Sequence, residues 1–286
     1  MLSFLPGPVR GVLLFLLYTI NTIFWSMVLF VVALLKLSVP VTGWRELCSR
    51  AMDGIGTIWI FFNNFNTRLF NEIRWDVSGT DKLEKNRWYL VVANHRSWVD
   101  ILVMQKIFYR KIPFLKFFLK KELFWVPFLG LAWWALDYPF LERSSSSLKD
   151  IKSARKACEK FRMFPVSIMN FVEGTRFTKE KQGEQLSPYS HLLEPKAGGI
   201  ATVLAALGDK LHSILDVTIA YPGGSTNFWA FLCGELSDVK VRVESLPIDK
   251  EISGDYFQDR QFRKKFRNWL NELWAKKDKT LAALMD

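Results

Sequence analysis

Residues 88–100 read Trp-Tyr-Leu-Val-Val-Ala-Asn-His-Arg-Ser-Trp-Val-Asp, and their reading decides the fold. The first six make an apolar run of strand length, Trp88–Ala93, that stops abruptly at Asn94. From residue 98 to 108 the pattern becomes helical. The same switch recurs outward along the chain. Apolar runs at 166–172, 215–221 and 239–243 predict further strands, and helical stretches at 146–164 and 198–207 fall between them. This alternation predicts an α/β fold with a mixed, partly parallel sheet and flanking helices. Loops at the carboxyl ends of such strands carry function. Two polar clusters fall there: residues 94–100, and Glu173-Gly174-Thr175-Arg176 after the second strand.

In the first cluster a histidine directly after a buried strand has a carboxylate five residues on. His95 and Asp100 suit a general-base pair, in which the carboxylate bonds the far ring nitrogen, fixes the tautomer and stabilises the imidazolium. A second reading is a helix start, with Ser97 as N-cap and Asp100 as its capping-box partner. That reading leaves His95 without a purpose. In the second cluster Gly174 permits close backbone approach, and Arg176 offers a planar fork for phosphate or carboxylate. The alternative there is a surface turn with a Glu–Arg pair. A metal site of His95, Asp100 and Glu173 is conceivable, but Arg96 and Arg176 beside it disfavour a bound cation.

Composition narrows the class. Of 286 residues, 50% are hydrophobic and 23% charged, which excludes disorder because enough apolar surface is available for burial. Cys48, Cys158 and Cys233 are distant and odd in number, so reduced thiols are expected rather than a disulfide scaffold. No Cys/His spacing suits zinc. A net charge of +11 with a slightly positive mean hydropathy points to an anionic membrane surface rather than to nucleic acid.

Residues 11–35 carry no charge, and a helix of that length spans roughly 37 Å, more than the bilayer's hydrocarbon core. A cleaved signal peptide would have a shorter apolar region and a small-residue cleavage site. A membrane helix is therefore expected. Residues 44–70 mix Trp59, Ile60, Phe61 and Phe62 with Asn63, Asn64 and Asn66, which suits an interfacial or re-entrant helix better than a second span. Lys36, Arg45 and Arg50 follow the span and Arg10 alone precedes it, placing the remainder in the cytoplasm. The chain thus divides into a membrane anchor with interfacial helix, residues 1–71, and a globular part, 72–286.

The clusters together resemble the PlsC-type glycerolipid acyltransferase family, the 1-acylglycerol-3-phosphate (lysophosphatidic acid) acyltransferases. Its NHxSxxD box is matched by Asn94, His95, Ser97 and Asp100, and its FPEGTR box by Phe171-Val172-Glu173-Gly174-Thr175-Arg176. Between them Lys120-Lys121-Glu122-Leu123, Pro127 to Gly130 and Phe140-Leu141-Glu142-Arg143 are similar to the family's basic and phenylalanine-rich segments. Pro195-Lys196-Ala197-Gly198-Gly199 and the strand up to Tyr221-Pro222 look like a fourth region. The resemblance implies transfer of an acyl chain from acyl-CoA or acyl-carrier protein, as co-substrate, to a lysophospholipid hydroxyl at a phospholipid membrane. A bacterial inner membrane, with the catalytic domain on its cytoplasmic face, is implied. No metal or other cofactor is expected. His95 would be the base and Asp100 its orienter, with Asn94 and Ser97 completing the box. Glu173, Gly174, Thr175 and Arg176 would hold the acceptor's phosphate side, helped by Arg143 and by Lys120 or Lys121. No acyl-enzyme is needed, and no G-x-S-x-G elbow suggests one.

The chain departs from the family at Val172, which replaces a proline, at Phe177, which replaces a small polar residue, and in residues 179–195, which look like a polar insertion beside the site. These departures resemble the branch acting on intact lysophospholipids such as lysophosphatidylinositol, lysophosphatidylglycerol or lysocardiolipin. They bear on the acceptor headgroup rather than the chemistry. A reading of another class is a lipid-binding adaptor without catalysis, which would have no need of His95 and Asp100. Half of the aromatics in 112–141 are expected in the core and half in a membrane-interface floor or acyl-chain tunnel. Phe262, Phe266, Trp269, Leu270, Leu273 and Trp274 recur at helical spacing with Arg263, Lys264, Lys265 and Arg267, predicting a helix packed on the domain with a solvated basic face, the alternative being a membrane-surface helix. His191 and His212 are read as structural or exposed.

Overall fold

The computed structural model describes residues 2–141, 158–159, 161–223, 227–249 and 251–286. Most of the helical stretch expected at 146–164, together with Arg143, lies outside the described residues. The chain opens with two long helices, α1 (Gly7–Ser38) and α2 (Thr42–Phe70), that pack side by side and antiparallel. Asn21 donates to the Asn63 side chain at 2.9 Å and to the Trp59 carbonyl at 3.1 Å, and the Trp59 indole donates to Thr22 at 3.2 Å. Asn63 and Asn66 are buried. Asn63, which breaks the apolar pattern of 44–70, therefore faces α1 and is satisfied there, and the stretch forms one uninterrupted helix of 29 residues.

α1 is the one helix among the described residues long and apolar enough to cross a membrane. Phe15, Ile20, Phe24, Met27 and Val31 are among its exposed residues. Both its ends touch the rest of the chain. A Cβ built on Gly7 would lie 3.4 Å from the Cys233 carbonyl oxygen, and Lys36 pairs with Asp137 at 2.5 Å. The hairpin thus lies along the globular part.

That part is built on a six-stranded mixed sheet in the order β1-β8-β7-β2-β6-β3. Its strands are β1 (Arg74–Ser78), β2 (Trp88–Ala93), β3 (Leu115–Phe117), β6 (Ser167–Phe171), β7 (Leu211–Ala220) and β8 (Asp238–Leu246). All neighbours are parallel except β7 and β8. Two-residue strands β4 (Leu119–Lys120) and β5 (Phe140–Leu141) pair separately. Strand β1 escapes sequence reading because Arg74-Trp75-Asp76-Val77-Ser78 lies at the sheet edge, with alternate charged residues in solvent. β7 begins at Leu211, earlier than its apolar run, because exposed His212 alternates with buried neighbours.

Helices α3 (Val99–Ile107), α4 (Leu129–Ala135), α5 (Lys179–Glu184), α6 (Ala197–Leu207), α7 (Phe228–Leu232) and α8 (Arg260–Met285) complete the fold. α8 packs as its spacing predicts: Phe266, Leu270, Leu273 and Trp274 are buried while Lys264, Lys265 and Arg267 are exposed. Of the short segment after residue 178, α5 is solvent-facing, but Tyr189, Leu192 and Leu193 are core residues. The polar insertion is therefore a packed element whose apolar residues belong to the core.

Candidate active site

Parallel strands β2, β6 and β7 end on the same side of the sheet, and the two polar clusters meet there. Pairing of β2 with β7 runs to Ala93 opposite Val217. Asn94 extends the connection with its side chain, donating to the Ile219 carbonyl at 2.9 Å and accepting from the Ile219 amide at 2.8 Å. This fully buried amide fixes where the chain leaves the sheet. His95 follows directly. Its ring stacks on Phe171, centroids 3.9 Å apart, and its Nδ1 lies 2.8 Å from Asp100 Oδ2. A proton on Nδ1 held by the carboxylate leaves Nε2 with a free lone pair, the arrangement a general base requires.

Asp100 has no solvent exposure, and each of its oxygens is used. Oδ2 also accepts from the backbone amides of Arg96 and Ser97, at 2.7 and 2.9 Å, and Oδ1 accepts from the Tyr221 hydroxyl at 2.5 Å. Ser97 Oγ accepts from the Val99 amide at 3.0 Å at the start of α3. The helix-start reading and the His–Asp reading therefore describe one carboxylate doing both. Burial and the charge on Asp100 push the Tyr221 phenol far above its ordinary range, so it remains a donor.

Glu173 corrects an expectation. It is fully buried, with Oε1 accepting from the His95 amide at 2.8 Å and Oε2 from the Leu193 amide at 2.9 Å. Its oxygens point into the protein and cannot grip an acceptor, and a carboxylate would repel a phosphate. It braces the backbone of the histidine instead. Burial raises its pKa to about 7, against the pull of the Leu193 and His95 amides. The same inward orientation removes it from any metal set with His95 and Asp100. No group of three or more His, Cys, Asp or Glu placed to hold a metal ion occurs among the described residues.

Gly174 has φ +69°, in the left-handed region where a side chain is strained, and a Cβ there would come within 3.2 Å of the Lys196 side chain. Lys196 is thus laid against the glycine turn, its amide held by the Val172 carbonyl at 2.8 Å. Thr175 accepts from Lys181 at 2.9 Å. Arg176 is exposed, its guanidinium 5.1 Å from the centre of the Trp98 ring, and Arg96 lies over Phe177 at 5.0 Å. Phe177 thereby takes up an aromatic role where a small polar residue has none, and its amide donates to the His95 carbonyl at 2.7 Å. Arg96, Arg176, Lys181 and Lys196 make the rim basic. Lys120 ends β4 and Lys121 opens the short 3-10 turn after it, in the segment that follows β3, whose Phe117 stacks behind Phe171 at 6.3 Å. Sequence reading assigns no role to Tyr221 or Lys196. The available signal for Tyr221 is a hydroxyl ending a buried strand beside the histidine strand.

A family model described as Acyltransferase matches residues 74–222, just over half of the chain, from β1 through the Asp100–Tyr221 contact. The chain belongs to the acyltransferase family. Among relatives, "1-acyl-sn-glycerol-3-phosphate acyltransferase 3" of Arabidopsis thaliana is 31% identical over 143 residues, covering 46% of this chain and 37% of that protein. "1-acyl-sn-glycerol-3-phosphate acyltransferase gamma" of Mus musculus is 26% identical over 204 residues, covering 66% of this chain and 51% of its own. The matched region thus spans about half or less of these relatives' length. The crystal structure of the 1-acyl-sn-glycerophosphate (LPA) acyltransferase PlsC from Thermotoga maritima superposes with a TM-score of 0.56 at 18% identity. It covers 97% of this chain and 98% of that one, so the acyltransferase fold extends through the helical hairpin and α8.

Proposed function

We propose that the protein transfers an acyl chain from acyl-CoA or acyl-carrier protein to the free hydroxyl of lysophosphatidic acid, giving phosphatidic acid. The observation that carries this reading is the His95–Asp100–Tyr221 network at the end of β2, beside a basic rim. His95 Nε2 takes the hydroxyl proton as the oxygen attacks the thioester carbonyl. Collapse of the tetrahedral adduct breaks the carbon–sulfur bond, and the imidazolium returns its proton to the leaving thiolate. Asp100 stabilises the imidazolium between the two transfers. A lipid-binding adaptor would leave this buried network without a purpose.

Arg176 and Lys196 supply the charge for the acceptor's phosphate. Arg176→Ala is expected to cost about 1.5–3 kcal/mol in kcat/KM for the acceptor, roughly ten- to a hundredfold or more, and much less for the donor. Kinetics with varied lysophosphatidic acid test this, and unchanged acceptor kinetics would place the phosphate elsewhere. In a panel of lysophospholipids, activity on lysophosphatidylglycerol or lysophosphatidylinositol well above that on lysophosphatidic acid would move the chain to the remodelling branch.

The exposed apolar side of the hairpin supports attachment to a phospholipid membrane, with residues 1–71 as the anchor and the catalytic part on the cytoplasmic side of a bacterial inner membrane, where thioester donors are made. Detergent but not high salt is expected to extract the protein, and a reporter fused after Asp286 to score as cytoplasmic. Release by salt alone would contradict the integral anchor, and a reporter active on the far side would contradict the orientation.

A further inference from the structure

The family match ends at Pro222, yet one face of α8 reaches the catalytic centre from behind. Asn271, Trp274, Lys277 and Asp278 recur at helical spacing on that face. The Asp278 carboxylate accepts from the Ser190 amide at 2.9 Å and the His191 amide at 2.8 Å. The Trp274 indole donates to the Leu193 carbonyl at 3.0 Å, and Tyr189 donates to the Asn271 carbonyl at 3.2 Å. Segment 187–194 is therefore held along its length by this helix. Two of its backbone groups act on the site. The Leu193 amide donates to Glu173 Oε2, whose other oxygen holds the His95 amide, and the His191 carbonyl accepts from Arg96 at 3.4 Å.

We propose that Asp278 is a positioning residue for acyl transfer: through Ser190 and His191 it fixes the segment whose Leu193 amide orients Glu173, and Glu173 in turn sets the backbone of His95. The segment 179–195 then serves less to admit or exclude a headgroup than to join the C-terminal helix to the base. No group in this relay touches substrate except His95 at its end. The inference rests on the acyl-transfer reading for its kinetic consequences, while its structural consequence is independent of that reading.

The relay has a pH signature. Glu173 is faced by the His95 amide and by Arg96 from the loop after β2, by Asp100 from the start of α3, by the Leu193 amide from the segment and by Lys277 from α8. Burial raises its pKa and the Leu193 amide opposes the rise. Withdrawing that amide moves the Glu173 titration to higher pH, and because a protonated Glu173 holds the His95 amide less firmly, kcat on the acid side falls at higher pH than the base alone would set.

The test uses the full chain with Asp278→Ala, Asp278→Asn and Trp274→Phe, assayed with acyl-CoA and lysophosphatidic acid and followed by amide hydrogen exchange. Asp278→Ala is expected to lower kcat by about tenfold to a hundredfold, as displacement of a reacting group by an ångström does, with both KM values near wild type. The acid-side inflection of the kcat profile is expected at higher pH. Exchange is expected to rise in residues 187–194 and at the His95 amide. Asp278→Asn keeps one accepting oxygen and recovers part of kcat. Trp274→Phe shows a smaller loss of the same kind. Should Asp278→Ala not accumulate as folded protein, Asp278→Asn decides by the same readouts, with an intermediate loss expected.

Wild-type kcat in the Asp278 variants would overturn the proposal. A loss of kcat with the inflection unmoved, or a rise confined to the acceptor KM, would overturn it too. Unchanged exchange at His95 would overturn it whether or not the protein transfers acyl chains. Absence of transfer by the wild-type protein would instead overturn the acyl-transfer reading.

Discussion

His95→Ala is expected to lower turnover by about 10²–10⁴-fold while the protein remains folded, the loss that follows removal of a positioned proton acceptor. The geometry explains why the fold should survive. Residue 95 is held by its own backbone, the amide on Glu173 and the carbonyl under Phe177, and neither bond involves the imidazole. The ring itself contributes its stack on Phe171, worth about 0.5–1.5 kcal/mol for such a pair. Asp100 loses one of four donors and keeps those from Arg96, Ser97 and Tyr221. Substrate KM values should change little. Activity near wild type in a folded His95→Ala protein would leave the network without a catalytic role.

Asp100→Asn separates charge from geometry. An asparagine fits the site with its carbonyl oxygen in the place of Oδ2, accepting from Arg96, Ser97 and His95, and its amide donating to the Tyr221 oxygen. The helix start and the ring orientation are then preserved. What disappears is the negative charge that stabilises the imidazolium. The expected loss is about 10²–10⁴ in kcat, comparable with loss of the orienting carboxylate in hydrolase triads. Unchanged melting with this loss would assign Asp100 to proton transfer. Unchanged turnover would make it a helix cap alone.

Much of this arrangement is legible in the residues. Trp88–Ala93 is apolar throughout because β2 lies in the middle of the sheet, buried on both faces, and strands of that kind announce themselves. The polar residues after it stand out for the same reason, and the clusters at 94–100 and 173–176 do meet. What composition conceals is direction. Glu173 reads as a ligand for substrate because a carboxylate is expected to face water, and only the two amides that converge on it show that it faces inward. Residues 179–195 read as a polar insertion because their charges are numerous, whereas Tyr189, Leu192 and Leu193 carry the packing. Asn63 reads as an interruption of an apolar helix because the partner that satisfies it lies some forty positions earlier in the chain. Tyr221 marks the end of a buried strand, but its role is hidden for a related reason, since its contact with Asp100 spans 121 residues.

Acyl transfer by His95 is tested by thiol release. The purified 286-residue chain is mixed with lysophosphatidic acid and either acyl-CoA or acyl-carrier protein, free thiol is followed continuously, and the lipid product is weighed by mass spectrometry. Acceptor-dependent thiol release matched mole for mole by phosphatidic acid is expected with at least one donor, with near-complete loss in His95→Ala. Thiol release that is independent of the acceptor, or equal in the His95→Ala protein, would contradict it.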